Sequence, residues 1–323
     1  MRILLIGGTI FLGKNIVEAA LAAGHEVTLF NRGKTNPELF PEIEKVRGDR
    51  LEGFKPIEGR EFDCVIDTCA YFPRAVKISR TAFPNAHYVF ISTISVYSEL
   101  DKVGLKDGDA VGTLEDPTTE VITGGSYGPL KALCENVVRD SGGSFTIIRP
   151  GLIIGPDDPT DRFTYWPVRM AEAGEGSVLV PDVNQPVQVI DVRDLATWTV
   201  STSEAKTQGV YNATGPQIPL TLDSALDQIR SAVNPRAQLS KVSAEILTAE
   251  KVEPWSDLPL ILPYDGSSNG MLSVDTSNSI SARLQTRPLG ETALDTLKWW
   301  QSKGSPALKI GLTRQRELAI LEA

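Results

Sequence analysis

Short apolar runs bounded by glycine or proline recur along the first half of the chain. Between them lie stretches whose apolar positions fall three and four apart. Ile3-Leu4-Leu5-Ile6 is the first run and reads as a buried parallel strand. Leu12 to Ala23 carries apolar residues at Leu12, Ile16, Ala19, Ala20 and Ala23, the spacing of one helical face. Gly24 ends that helix and Glu26 to Phe30 makes a second strand. Further strands are predicted at Lys45–Arg47, Cys64–Cys69, Tyr88–Thr93 and Phe145–Arg149, with helices over Pro73–Phe83 and from Tyr127 to about Asp140. Strands alternating with helices imply an α/β fold with a doubly wound parallel sheet.

Beyond Arg149 the alternation breaks down. Val187–Ile190 reads as a strand returning to the main sheet, and Val210 to Gly215 as another short strand and turn. Helices are expected over Ser224–Val233 and Thr292–Gln301, with a proline-rich connection from Pro254 to Pro263. The aromatic cluster Phe163, Tyr165 and Trp166 could line a pocket or fill a small core. The stretch from Ile94 to Ser126 is rich in glycine, threonine and acid. A loop that long belongs either to a pocket or lid, or to a solvated excursion.

The first strand, its glycine turn and the following helix form a ready-made phosphate site. In Gly7-Gly8-Thr9-Ile10-Phe11-Leu12-Gly13, glycines let a pyrophosphate approach the backbone, and the helix amino end offers free N–H groups and a favourable dipole. A tight βα turn in a protein without a nucleotide reads similarly. The flanking strand and helix favour a dinucleotide-binding Rossmann unit. Met1-Arg2 before an apolar run suggests a leader, but Lys14, Asn15 and Glu18 interrupt it and the pattern continues into helix and strand.

Composition narrows the function. A chain of 323 residues suits one large α/β domain with a smaller lobe, and 41% hydrophobic with 23% charged residues is ordinary for a soluble protein. No apolar run approaches the roughly 20 residues that span a bilayer. A formal net charge of −9 opposes general nucleic-acid binding. Cys64, Cys69 and Cys134 are unframed by any zinc or disulfide pattern, so a cytoplasmic location is expected. Two histidines, His25 and His87, leave little for a histidine metal site or catalytic triad.

Two places carry candidate chemistry. After the second strand, Asn31-Arg32-Gly33-Lys34 places Arg32 where an NAD-preferring fold has an acid. A guanidinium there suits a 2′-phosphate, which favours NADP over NAD. A solvated loop charge would look the same. Asp49, at the end of the third strand, could accept from an adenine amino group or simply cap a loop. The end of the Cys64–Cys69 strand lies beside the expected ribose. Tyr127 and Lys131, four apart, share a helix face, and an ammonium there would lower the phenol's pKa for proton exchange with an alcohol or carbonyl. With seven tyrosines, that spacing alone is common.

In this order the motifs resemble the extended short-chain dehydrogenase/reductases, the NAD(P)-dependent epimerase/dehydratases. The resemblance runs through Gly7–Gly13, Gly48-Asp49, Phe90-Ile91-Ser92-Thr93-Ile94-Ser95-Val96-Tyr97 and Tyr127–Lys131. It continues through Arg149-Pro150 with Gly155-Pro156, Val189–Asp194, Tyr211-Asn212 and Val274–Ser277. It implies hydride transfer between a nicotinamide and a hydroxyl- or carbonyl-bearing small molecule, nucleotide sugars included. Tyr127 is then the general acid/base, Thr93 the hydroxyl on the reacting oxygen, and Lys131 the ligand of the nicotinamide ribose. It implies cofactor contacts at Gly7, Thr9, Ile10, Phe11, Leu12, Gly13, Asn31, Arg32, Asp49, Arg50, Thr68, Cys69, Ala70 and Lys131, and no metal. The expected division is residues 1–155 with 187–215 as the dinucleotide domain, and 156–186 with 216–323 as a smaller C-terminal α+β substrate lobe. Neither a nucleic-acid nor a membrane partner is expected, and a homodimer is one candidate assembly. Ile10 stands where the family has a third glycine, and its side chain is expected to crowd the pyrophosphate. The pattern G-G-T-x-F-x-G resembles an atypical branch that includes chloroplast stem-loop RNA-binding proteins, so a non-catalytic nucleotide or RNA binder on the same fold is the alternative.

Overall fold

The computed structural model describes residues 1–322. Seven parallel strands form the main sheet: β1 (Arg2–Ile6), β2 (Glu26–Asn31), β3 (Glu44–Arg47), β4 (Cys64–Asp67), β5 (His87–Ile91), β6 (Phe145–Pro150) and β10 (Gly209–Ala213). Their order is β10-β6-β5-β4-β1-β2-β3. The chain works outward from β1 in both directions, so the strand order reverses beside β1, where such sheets open a crevice.

Successive residues of β1 feed opposite faces. Ile3 and Leu5 pack with α1 (Phe11–Ala22) and α5 (Val192–Glu204), in a cluster holding Ile16, Val17, Leu195 and Trp198. Leu4 and Ile6 join Phe30, Val76, Phe90 and Val138 on the side of α2 (Pro73–Ala82) and α3 (Gly124–Asp140). Burial on both faces is why these strands read as unbroken apolar runs.

One expected pairing is corrected. The strand at Val187–Ile190, within β9 (Pro186–Asp191), does not return to the main sheet. It lies between β7 (Leu152–Ile154) and β11 (Gly215–Thr221) in a separate three-stranded sheet, while β10 joins β6 in the main one. At the branch, a Cβ on Gly151 would meet the Thr214 hydroxyl at 2.4 Å, so the Thr214 side chain packs directly on the backbone where the strands part. A two-residue apolar period marks a strand but not its neighbours.

The remaining elements build a second core. They are α4 (Tyr165–Glu172), β8 (Ser177–Asp182) paired with β12 (Gln238–Ser243), α6 (Leu222–Val233), α7 (Ala244–Ala249), α9 (Leu289–Ser302) and α10 (Arg314–Glu322), while the short α8 (Ser277–Ser281) packs on β10 of the main sheet. Phe163, Tyr165 and Trp166 lie buried in this core, where Phe163 and Trp166 border only a void of about 10 Å³. Asp191 caps α5 by accepting from the Arg193 amide at 2.8 Å, and it also accepts from the Thr292 hydroxyl at 2.8 Å. Arg193 reaches Asp295 at 2.8 Å, and Arg287 reaches Asp194 at 2.7 Å, so the Val189–Asp194 motif ties α5 to α9. Asp157 makes a second tie. It accepts from the Trp299 indole at 2.8 Å and pairs with Lys14 of α1.

Candidate functional site

The glycine turn is shaped as the sequence requires. Gly7 and Gly8 have φ of 112° and 95°, and a Cβ on Gly7 would meet the Thr68 hydroxyl at 2.5 Å. No side chain caps the amino end of α1, which leaves its first amides free. Ile10 has φ of −135°, a conformation that needs no glycine, and its side chain is 50% exposed. That side chain stands where two cavities of about 330 and 390 Å³ meet.

The first cavity runs over β2 and β3. Arg32 and Lys34 line it, and neither has an ion-pair partner among the described residues. Asn31 turns inward: its amide donates to the Gly7 carbonyl at 2.9 Å and its oxygen accepts from the Gly33 amide at 2.9 Å. Asn31 thereby shapes the wall that carries Arg32. Asp49 lines the cavity while accepting from the Leu51 amide at 3.0 Å, so the loop-capping role left open by the sequence is present.

Arg50 lines the first cavity with its guanidinium anchored from beneath: both terminal nitrogens pair with Asp67 at 2.6 Å and one also donates to the Ala75 carbonyl at 2.8 Å. Asp67 is fully buried, and the Tyr88 hydroxyl donates to it at 2.6 Å. Burial would raise the Asp67 pKa, but Arg50 and Tyr88 hold it below the usual carboxylate range.

The second cavity brings together the turn Gly7–Gly13, Thr68, Cys69, Thr93, Tyr127 and Lys131. The Thr68 hydroxyl donates to the Ile6 carbonyl at 2.9 Å, and the Cys69 thiol is close to the same oxygen. Ala70 is fully buried and contributes only its carbonyl. The Thr93 hydroxyl accepts from the Ser95 amide at 3.1 Å and so caps the 3-10 turn Ile94–Val96.

Lys131 is buried, and its ammonium donates to the carbonyls of Ala70 at 2.8 Å and Ile91 at 2.6 Å. It also lies 4.1 Å from the centre of the Phe90 ring. Burial lowers its pKa to about 8. The expected depression of the Tyr127 pKa by Lys131 is corrected, since that phenol is raised above its ordinary value, chiefly by burial. The Thr93 hydroxyl works in the opposite direction and the Tyr71 phenol adds to the rise. The Lys131 charge is directed at backbone oxygens instead.

Sequence reading missed Tyr71. It lines both cavities, is 42% exposed, and its ring centre lies 6.4 Å from that of Tyr127. No motif marks it. Its position just after Ala70, at the carboxyl end of β4, is the one available signal. The loop from Ile94 to Ser126 lines neither cavity.

No family model matches the chain. It is 27% identical over 238 residues to the chloroplast stem-loop binding protein of 41 kDa b from Arabidopsis thaliana, a match covering 66% of this chain and 58% of the relative's length. The fold matches the Bordetella bronchiseptica enzyme WbmH in complex with NAD+ at 16% identity and a TM-score of 0.67, over 94% of this chain and 99% of that one. It matches the Bacillus cereus UDP-N-acetylglucosamine 4-epimerase equally well, with a TM-score of 0.67 and 16% identity over 93% of this chain and 99% of that one. The Bacillus cereus UDP-glucuronic acid 4-epimerase in complex with NAD gives a TM-score of 0.66 at 17% identity, over 95% and 99% of the two chains. At these identities the likeness is one of fold.

Proposed function

We propose that this chain, with the fold of those epimerases, is an extended short-chain dehydrogenase/reductase. It acts with NADP(H) on a hydroxyl- or carbonyl-bearing small molecule as an epimerase, dehydratase or reductase. The observation that carries this reading is the shared cavity: Thr93, Tyr127 and Lys131 line the same space as the glycine turn. The uncapped amides of α1 and the close glycines fit a pyrophosphate, and the unpaired Arg32 and Lys34 fit an additional phosphate. A bound nicotinamide supplies or accepts hydride at the substrate carbon.

The remaining chemistry belongs to side chains. Tyr127, its pKa raised by burial, holds a proton at neutral pH and gives it to the reacting oxygen in the reducing direction; in the oxidising direction it first releases that proton to solvent and takes one back from the substrate hydroxyl as phenolate. Thr93 hydrogen-bonds that oxygen. An ammonium has three donors, of which Ala70 and Ile91 take two, so Lys131 retains one N–H for a ribose hydroxyl. The test is thermal stabilisation by added dinucleotide. NADP(H) should raise the melting temperature more than NAD(H) does, and no rise with either removes the reading.

The Arabidopsis relative's name favours a second reading, a non-catalytic RNA binder. It requires salt-dependent affinity for RNA stem-loops, which a formal net charge of −9 opposes.

A further inference from the structure

One side of the wall around the proposed acid/base is apolar, and the hydroxyls of Thr9, Thr68, Ser92 and Thr93 make up its polar remainder. Beside Tyr127, the second cavity is bounded by Tyr71, Pro150, Ile153 and Pro159. Its one charged side chain among the described residues is Lys131, whose ammonium is engaged with two backbone carbonyls. Around Pro159 the flanking loop is acidic, with Asp157, Asp158 and Asp161 within five positions. The cations near that loop each have a partner, two of them within the loop itself. Lys14 pairs with Asp157, Lys309 donates to the Pro159 carbonyl at 2.9 Å, and the Arg162 guanidinium lies 5.1 Å from the Trp255 ring centre. A nucleoside diphosphate carries its charge about one sugar ring away from the reacting carbon and needs cations or free amides there, and the free amides of this cavity, at the amino end of α1, are the ones that fit the dinucleotide's own pyrophosphate. The unpaired cations of this cleft, Arg32 and Lys34, line the other cavity.

We propose that the substrate is an uncharged carbonyl or alcohol compound with a planar or apolar substituent seated against Tyr71, and that nucleoside diphosphate sugars are excluded. This rests on the NADP(H)-dependent reading above. In the reducing direction the carbonyl carbon gains a hydride and its oxygen gains the Tyr127 proton. One NADPH is oxidised per alcohol formed, and Tyr127 recovers a proton from water. A half-exposed tyrosine face offers an amphipathic surface that suits such a ring.

Saturation-transfer NMR on the protein with NADP present tests this, with acetophenone and UDP-glucose as probes. Transfer should reach the aromatic protons of acetophenone and none should reach UDP-glucose. Tyr71→Ala should weaken acetophenone binding about three- to ten-fold, and Tyr71→Phe should retain it. Transfer to UDP-glucose, no transfer to acetophenone, or unchanged affinity in Tyr71→Ala overturns the inference. A protein that gains no thermal stability from NADP instead removes the reading on which it rests, so the two failures are distinguishable.

Discussion

The Lys131 ammonium donates to the Ile91 carbonyl oxygen at 2.6 Å, which turns the charge of α3 toward the end of β5 and away from the phenol one helical turn earlier. Burial sets the protonation of both groups. Tyr127 remains protonated at neutral pH, and Lys131 sits near the pH at which it discharges.

For Tyr127, removing the hydroxyl while keeping the ring separates chemistry from binding. Tyr127→Phe is expected to lose about 10²- to 10⁴-fold in turnover while retaining its thermal stabilisation by NADP. Steady-state rates beside melting curves check this, and a variant that turns over normally ends the assignment.

Lys131 makes a statement about stability. Its folded pKa of about 8 lies below the unfolded value of about 10.4. Between those values the unfolded chain binds more protons, so the stability difference contributed by this group rises with pH across that window. The buried thiols Cys64 and Cys134, raised to about 12, work in the opposite direction, so urea titrations at pH 7.5 and 9.5 should show stability changing less favourably with pH in Lys131→Met than in the parent protein.

Arg32 should discriminate between dinucleotides. Losing one charge-assisted contact to a 2′-phosphate should weaken NADP on the order of ten-fold or more in Arg32→Ala. Affinity for NAD should change little. Calorimetric titration of both cofactors decides the matter, and equal weakening contradicts the role.

Beneath the first cavity, Arg50 and Asp67 are a buried pair whose members depend on each other. Asp67→Asn leaves the guanidinium uncompensated and is expected to cost about 3–5 kcal/mol of stability. A denaturant midpoint close to that of the parent protein would count against this account.

His87 predicts acid sensitivity. It is buried against the hydroxyls of Ser144 and Thr146, and burial lowers its pKa to about 4, against about 6.5 when unfolded. Its contribution is complete above pH 6.5 and is lost as pH falls toward 4, by about 3 kcal/mol at most. Stability measured across that range should decline less in His87→Gln.

How much of this was legible depended on the range of the interaction concerned. The βαβ unit around Gly7–Gly13 was readable because strand, turn and helix are local and each has its own residue signature. Placing β9 was not, because its partners β7 and β11 are chosen by packing between lobes. The same holds for side chains. Tyr127 and Lys131 share a face by helical spacing, but the Lys131 partners lie 61 and 40 residues away in sequence. The pairing of Arg50 with Asp67, 17 residues on, was equally hidden until the fold brought the two together. Tyr71 belongs to no motif and emerged only as a wall between two cavities.

Asp157 connects distant parts of the chain, since it holds both the Trp299 indole and the Lys14 side chain. Lys14 directly follows Gly13, so an indole of the late helix α9 sits two side-chain contacts from the phosphate-facing turn. Trp299 is thus placed as a built-in optical gauge: in a variant that keeps it as the sole one of the five tryptophans, its emission should report movement at the amino end of α1.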